Sequence, residues 1–459
     1  MSLLFFDISF YKKALLIALP IMIQNAVTSF VGLLDNLMVG QTGTMPMSGV
    51  SIANQIINIY TITTFGAMAA VGIFMAQYSG KKDRVGILHC FKLKFFIACL
   101  IGLAAIVVLY FFNRPLVSLF LMSNENDPSA IAATLNYGTA YLQIMVPGIV
   151  LFAFSQVFST SLRECGNTVV GMVSSVTALL VNCFLNWCLI FGKLGFPALG
   201  SNGAAYATVI SRVIEFLILA GATYFHRRLS FLYEFVQVGK TPAELLEQVF
   251  LKGSPLLVNE VMYSVGQAAL AQRFATRGLE VVAAYNIYIT VSEVFFIANY
   301  ALGVAASIMT GQALGKGEDE EARKTAVRMM FANVIVCSLF GLALGKSAAY
   351  FPLIYNTSDS VRAIATSFLV ACAWHLPLQG VTLTCYFVMR SGGKSMMTLF
   401  FDSFSVVFVM FPLAYVLTAF TDISALGVLI AIYSIDVLKL IGGLIIVAKG
   451  YWVQNIVNM

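Results

Sequence analysis

The sequence predicts an all-α fold: a polytopic membrane protein with 12 transmembrane helices in two pseudo-symmetric six-helix bundles. Three observations lead there. Of the 459 residues, 59% are hydrophobic and only 10% charged, with a mean hydropathy of +0.88, whereas a soluble domain carries about a quarter charged residues. Apolar runs of about 20 residues, enough to cross a bilayer, recur from end to end. The second half also repeats landmarks of the first at a fixed offset. A transmembrane barrel is excluded, because barrels show short alternating strands rather than long apolar blocks.

The runs, taken in order, are 14–40, 50–78, 93–112, 131–157, 168–191 and 203–225, then 254–276, 282–311, 327–349, 364–388, 397–419 and 424–447. The first is too long for a signal-peptide core and lacks a small-residue cleavage site. A charged stretch separates the sixth run from the seventh. The expected organisation is an N-terminal six-helix lobe (1–225), a cytoplasmic linker (226–252) and a C-terminal lobe (253–459). Pro147, Pro377 and Pro412 fall inside runs, and Pro20 and Pro255 just inside the first and seventh. Such prolines free backbone carbonyls and permit kinks.

Orientation follows from the 27 Lys and Arg residues. With both termini cytoplasmic, the inner loops and tails hold about 20 of them and the outer loops about six. The inner set includes Lys12, Lys13, Lys81, Lys82, Arg84, Lys92, Lys94, Arg227, Arg228, Arg323 and Lys324. The outer set is Arg114, Lys193, Arg273, Arg277, Lys346 and Arg362, and only Arg212 is left inside a span by this count. The net charge of +6 thus reflects topology and basic loops facing anionic lipid, with no nucleic-acid partner implied. The eight cysteines fall in spans or inner loops and match no metal motif, so no disulfide is expected.

Sliding the chain by 235 residues brings Pro20 onto Pro255, Ser29 onto Ser264, Gly43 onto Gly278 and Gln77 onto Gln312, without a gap. The stretch "QYSGKKD" (77–83) falls on "QALGKGE" (312–318). Ten of the 63 positions from 20 to 82 are identical, so the register carries the repeat. A second echo, at offset 227, sets "LRECGN" (162–167) on "MRSGGK" (389–394). Six spans per repeat is an even number, so both halves enter the membrane from the same side. That is the parallel-repeat arrangement of several secondary transporters, with the substrate cavity between the halves.

Other chemistries lack their residues. "GLALGKS" (341–347) is one residue short of a phosphate-binding loop and begins inside an apolar span. Three widely separated histidines, His89, His226 and His375, offer no catalytic or metal spacing, so a membrane enzyme is not expected. Nothing matches a carbonyl-lined filter loop or a repeated ring of charges.

The buried polar groups are the remaining guide to chemistry. Asp35, in "FVGLLDNLMVG", has only Val31, Gly32, Met38 and Val39 at helical spacing, so any partner comes from another span. Asn182 and Asn186, four apart on one face of the fifth span, and Thr208 in the sixth are the expected partners. A carboxylate ringed by neutral amides and a hydroxyl can bind and release a proton or a small cation. An unpaired intramembrane acid is a functional candidate by default, ahead of a purely structural lock. The second half lacks that acid, since Asp35 aligns with Leu270, but it carries Glu260, Glu293 and Asp402. These either line the cavity, attracting a cationic substrate or a second ion, or are polar groups near an interface or paired with basic residues. Arg212 with Glu215, and Asp436 with Lys439, read as local structural ion pairs. The 37 Phe, 19 Tyr and 19 Met suit a plastic apolar cavity and a lipid-facing surface equally.

Several stretches resemble the multidrug and toxic compound extrusion transporters, nearest the bacterial branch typified by DNA-damage-inducible members. They are "ALPIMIQNAVTSFVGLLDNLMVG", "LRECGNT", "NCFLNWCLIFGKLGFPALGSNGAAYATVISR", "SPLLVNEVMYSVG", "GQALGKGEDEEA" and "MRSGGKSMMTLFFD". The resemblance implies a twelve-helix antiporter of two lobes in the cell's inner membrane. It would export amphipathic or cationic organic compounds in exchange for H+ or Na+, needing no other cofactor and working as a monomer in the lipid bilayer. It also implies a cation-coupling site at Asp35 with Asn182, Asn186 and Thr208. Two departures matter. Asn186 stands where the family usually has an aspartate, which favours a proton over sodium because hard cations prefer carboxylate oxygens. Lys394 stands where many relatives carry an acid. The alternatives are a lipid-linked precursor flippase of the same superfamily and a non-transporting receptor. Neither the extra spans and cationic cavity of the first nor a signalling domain for the second is present.

Overall fold

A computed structural model describes residues 7–121, 128–225 and 230–458. The N-terminal repeat holds α1 (Ile8–Gly40), α2 (Thr44–Lys81), α3 (Arg84–Phe111), α4 (Asn113–Leu121), α5 (Pro128–Glu164), α6 (Val169–Phe191) and α7 (Ser201–Phe225). The C-terminal repeat holds α8 (Ala243–Ala275), α9 (Leu279–Gly315), α10 (Asp319–Ser347), α11 (Asp359–Ser391), α12 (Ser395–Phe420) and α13 (Ala425–Lys449). No strand occurs among the described residues. Each expected span lies on one of these helices, and the short α4 falls between the third and fourth. Pro115 sits in its first turn, where a missing N–H costs nothing.

Eleven of the described helices are long and apolar enough to cross a membrane. The seventh expected span lies on α8, a 33-residue helix that also carries Glu244, Glu247, Lys252, Glu260 and Arg273. Arg227, Arg228 and part of the expected linker fall outside the described residues.

The chain forms two compact units. One comprises Ile23–Met75 and Arg84–Ala243; the other comprises Met1–Met22, Ala76–Asp83 and Glu244–Met459. In the first, α5 packs on α3 and α7, and α6 packs on α7. Its core joins Val50 and Ala53 of α2 with Tyr141, Leu142 and Met145 of α5 and Ala204 and Ala205 of α7. In the second, α9, α10 and α11 pack mutually, and α13 lies on α11. Phe274 of α8 stacks on Tyr285 of α9 with ring centroids 4.5 Å apart.

The repeat recurs in backbone conformation. Gly43 and Gly278 have φ of 124° and 113°, and Gly166 and Gly393 have 84° and 72°. These are left-handed or unusual values that a side chain resists. At the next equivalent pair the halves differ: Gly317 adopts φ 78°, while Lys82 holds φ 59° despite its Cβ.

Two readings of charge are corrected. Lys94, expected in an inner loop, is fully buried inside α3, 2.5 Å from Glu164 of α5 and 3.0 Å from Thr160. The helix starts at Arg84, so Lys94 lies well past its first turns, where only an acid on a facing helix can compensate the charge. Arg212 is therefore not alone within the spans, and Arg390 and Lys439 also sit inside helices against acids. All eight cysteines are free.

Candidate functional site

α1 carries Asp35 into the first unit beside α6 and α7. The side-chain amide of Asn186 donates to Asp35 Oδ1 at 2.5 Å and to Asn182 Oδ1 at 3.1 Å. Asn182 donates to Thr208 Oγ1 at 3.2 Å, and that hydroxyl donates to Asp35 Oδ2 at 3.5 Å. The spacing of four puts Asn182 and Asn186 on one face of α6, and α7 packs along that face. The four residues expected from the sequence thus close a ring. All are buried, with Asn186 at 0% exposure and Asp35 at 6%.

Two features describe the ring's electrostatics. No basic group is ion-paired with Asp35 among the described residues. Asn186 Oδ1 is buried and meets no protein hydrogen-bond donor, like several other buried polar atoms of the protein. The ring therefore holds one acid and one spare acceptor, and lacks a donor.

Two cavities lie in the same unit, and the smaller of them adjoins the ring. A small one of about 30 Å³ is lined by Asn182 and Thr208 together with Thr28, Ser175, Arg212 and Glu215. A larger one of about 180 Å³ is lined by Gln24, Asn25, Tyr60, Phe65, Phe152 and Arg163, among others, and shares Thr28, Ser175, Arg212 and Glu215 with the first. The Arg212–Glu215 pair, 2.7 Å apart, stands at both. The guanidinium lies 4.9 Å from the centroid of Phe152, and Ser175 donates to Glu215 Oε1 at 3.1 Å. The sequence reads this pair as a structural device. The structure keeps that pairing and places it at the wall of both cavities.

Glu260, Glu293 and Asp402 belong to the other unit and line neither cavity. Arg390 lies 3.6 Å from Glu260. Asp402 lies 3.4 Å from Lys439 and accepts from Asn259 at 3.3 Å. For these two acids the paired alternative is the one observed, while Glu293 is exposed. Lys439 reaches Asp436 as well, at 3.6 Å, and His375 lies 3.1 Å from the same acid. Asp402 sits on a π-helical turn, Phe400–Phe404, whose next residue, Ser403, donates to Asn259 Oδ1 at 2.6 Å. Among the described residues no group of three or more His, Cys, Asp or Glu side chains gathers as a metal site.

Beyond Asn182, Thr208, Arg212 and Glu215, the cavity lining is absent from the expectations drawn from sequence. Gln24, Asn25 and Thr28 precede Asp35 on α1 at helical spacing, which is a usable signal. Tyr60, Phe65 and Phe152 carry none, because an aromatic residue in a span looks the same facing lipid or cavity.

Comparisons with known proteins agree on one family. The chain is 27% identical over 421 residues to the multidrug resistance protein MdtK of Pectobacterium atrosepticum, covering 90% of this chain and 88% of that protein. It is 23% identical over 458 residues to a probable multidrug resistance protein NorM of Thermotoga maritima, covering 97% and 94%. Its fold matches a solved outward-facing multidrug resistance MATE family transporter of the MOP superfamily with a TM-score of 0.86 over 98% of both chains, at 18% identity. The MatE family model matches twice, over residues 20–188 and 255–416, and the two matches begin 235 residues apart, at the prolines that open the repeat. The chain therefore belongs to the MatE family and is a multi-pass membrane transporter, not an enzyme.

Proposed function

We propose that this protein is a secondary antiporter of the inner membrane, with both termini cytoplasmic, that exports amphipathic cationic compounds in exchange for protons by alternating access. The observation that carries the reading is the ring around Asp35: a buried acid held only by neutral donors, beside the unfilled acceptor Asn186 Oδ1. A proton on the carboxyl supplies the one donor the ring lacks. Sodium is served less well, because a hard cation takes about six oxygens and gains most from carboxylates, and Asp35 is the only carboxylate in the ring.

The cycle follows from competition. Facing outward, Asp35 takes up a proton, its hydrogen bonds to α6 and α7 rearrange, and the packing of α1 changes with them. A cationic guest held in the larger cavity against the aromatic walls of Tyr60 and Phe65 then leaves. Facing inward, the site loses its proton and the cavity accepts the next guest. A ligand shifts such an equilibrium only by its differential affinity for the two states. A titratable ring in the same unit as the guest's cavity provides that difference.

The test is efflux of ethidium from the cytosolic side in everted vesicles, driven in turn by a proton gradient and a sodium gradient. A proton gradient alone should suffice for the wild type, and Asp35→Asn should abolish transport. Efflux driven only by sodium would overturn the choice of ion. Undiminished efflux by Asp35→Asn would remove the coupling role altogether.

A further inference from the structure

The segment that follows α13 does not trail away. Trp452 is fully buried and joins the core of α9, α10 and α11, and Ile456 and Val457 are buried as well. Between these anchors the chain runs without helix or strand, and two side-chain amides hold it. Gln77, near the end of α2 and itself 0% exposed, accepts from Ile456 N at 2.8 Å and donates to Gln454 O at 3.1 Å. One amide thus pairs with an N–H and a C=O two residues apart, as a neighbouring strand would. The same Gln77 donates to Ser391 O, the last carbonyl of α11, at 2.9 Å. Asn455 donates to Leu314 O, next to last in α9, at 2.7 Å, and Lys81 reaches Val457 O at 3.4 Å. Leu314 O also accepts from Gly317 N at 3.0 Å, so Asn455 adds a second donor there, while Gln77 supplies one at the last carbonyl of α11, where the helix itself offers none.

The segment is fastened where equivalent parts of the two repeats touch. Gly80 lies against the main chain of Gln312, and Gly315 against the main chain of Gln77, reciprocally. A methyl group at either glycine would collide with backbone. All these atoms belong to one compact unit, although Ala76–Asp83 comes from the N-terminal repeat. Backbone-on-backbone packing of this kind has one close geometry and is otherwise lost.

We propose that Tyr451–Asn458 is a releasable strap that fastens the α2–α9 crossing closed, and that it lets go when this end of the molecule opens during transport. The strap suits release: Gln454 and Asn455 are half-buried, and its hydrogen bonds run to side chains and helix ends rather than into a ladder. Trp452 stays on α13 through its bond to Val447 O at 3.3 Å. The residues beyond it can therefore swing without freeing the chain. The proposal rests on the alternating-access reading above.

The test uses the full chain in proteoliposomes, with hydrogen exchange over residues 451–458 and maleimide labelling of Ser79→Cys, counted above the parent's native cysteines. Gln77→Glu keeps the acceptor and loses both donations. It should raise exchange at Ile456 and Val457 at least tenfold and speed Ser79→Cys labelling by a similar factor, while the protein remains monodisperse. Unchanged labelling in Gln77→Glu would overturn the strap whatever the protein transports. During ethidium flux, wild-type exchange over the segment should rise at least tenfold above the resting level. Flux with unchanged protection would make the segment a static cap and overturn the proposal. Absence of ethidium flux would instead count against the antiporter reading, leaving the Gln77→Glu result to decide the strap.

Discussion

At the residue scale, a buried charge without a counter-charge has few ways to persist, and Asp35 and Lys94 take different ones. Lys94 has Glu164 within direct contact, so the two charges satisfy each other. Breaking the pair with Lys94→Met should cost about 3–5 kcal/mol by removing the acid's buried counter-charge, and adding Glu164→Leu should restore most of the loss. Thermal unfolding in detergent reads both variants. Asp35 has only neutral partners, which leaves its charge free to change. Backbone conformation gives a separate prediction. Gly317 sits at φ 78°, and a Cβ added there would meet nothing within 4 Å, so Gly317→Ala isolates the left-handed penalty of about 1–2 kcal/mol. Lys82→Gly, at the equivalent position, should leave stability unchanged or raise it, and a lower melting temperature would contradict the repeat's backbone equivalence.

At the element scale, the helices are legible in the sequence because apolar runs of bilayer length have few other uses. Asp35, Asn182, Asn186 and Thr208 are legible because their spacing allows one shared face. Lys94 is misplaced by the same reading because a sequence marks where charges occur but not where a helix begins, and the start of α3 at Arg84 carries Lys94 inside. The pairing of Glu260 with Arg390 joins α8 to α11, and that of Asp402 with Lys439 joins α12 to α13. No local pattern announces such contacts. The glycines of the α2–α9 crossing show the same limit: "SGKK" and "LGKG" align in the repeat, yet their mutual contact emerges only in three dimensions. Gly315→Ala should cost about 2 kcal/mol or more, the upper range for overpacking, because the obstacle is the main chain of Gln77. A folded, equally stable Gly315→Ala protein would mean that the crossing is loose.

At the scale of the whole molecule, the two repeats share a frame and divide the chemistry. The family match, the offset of 235 and the paired glycines all mark the frame. One unit holds Asp35 and the two cavities described above, and the acids named in the other are paired or exposed. The central claim is that the proton site and the guest's cavity lie together in the first unit and compete. It is tested most directly by counting protons released when ethidium binds to detergent-solubilised protein in weak buffer, with a pH-indicator dye. Wild type should release protons on binding, and Asp35→Asn should bind ethidium yet release none. Equal release from Asp35→Asn would contradict the account and move the proton site elsewhere.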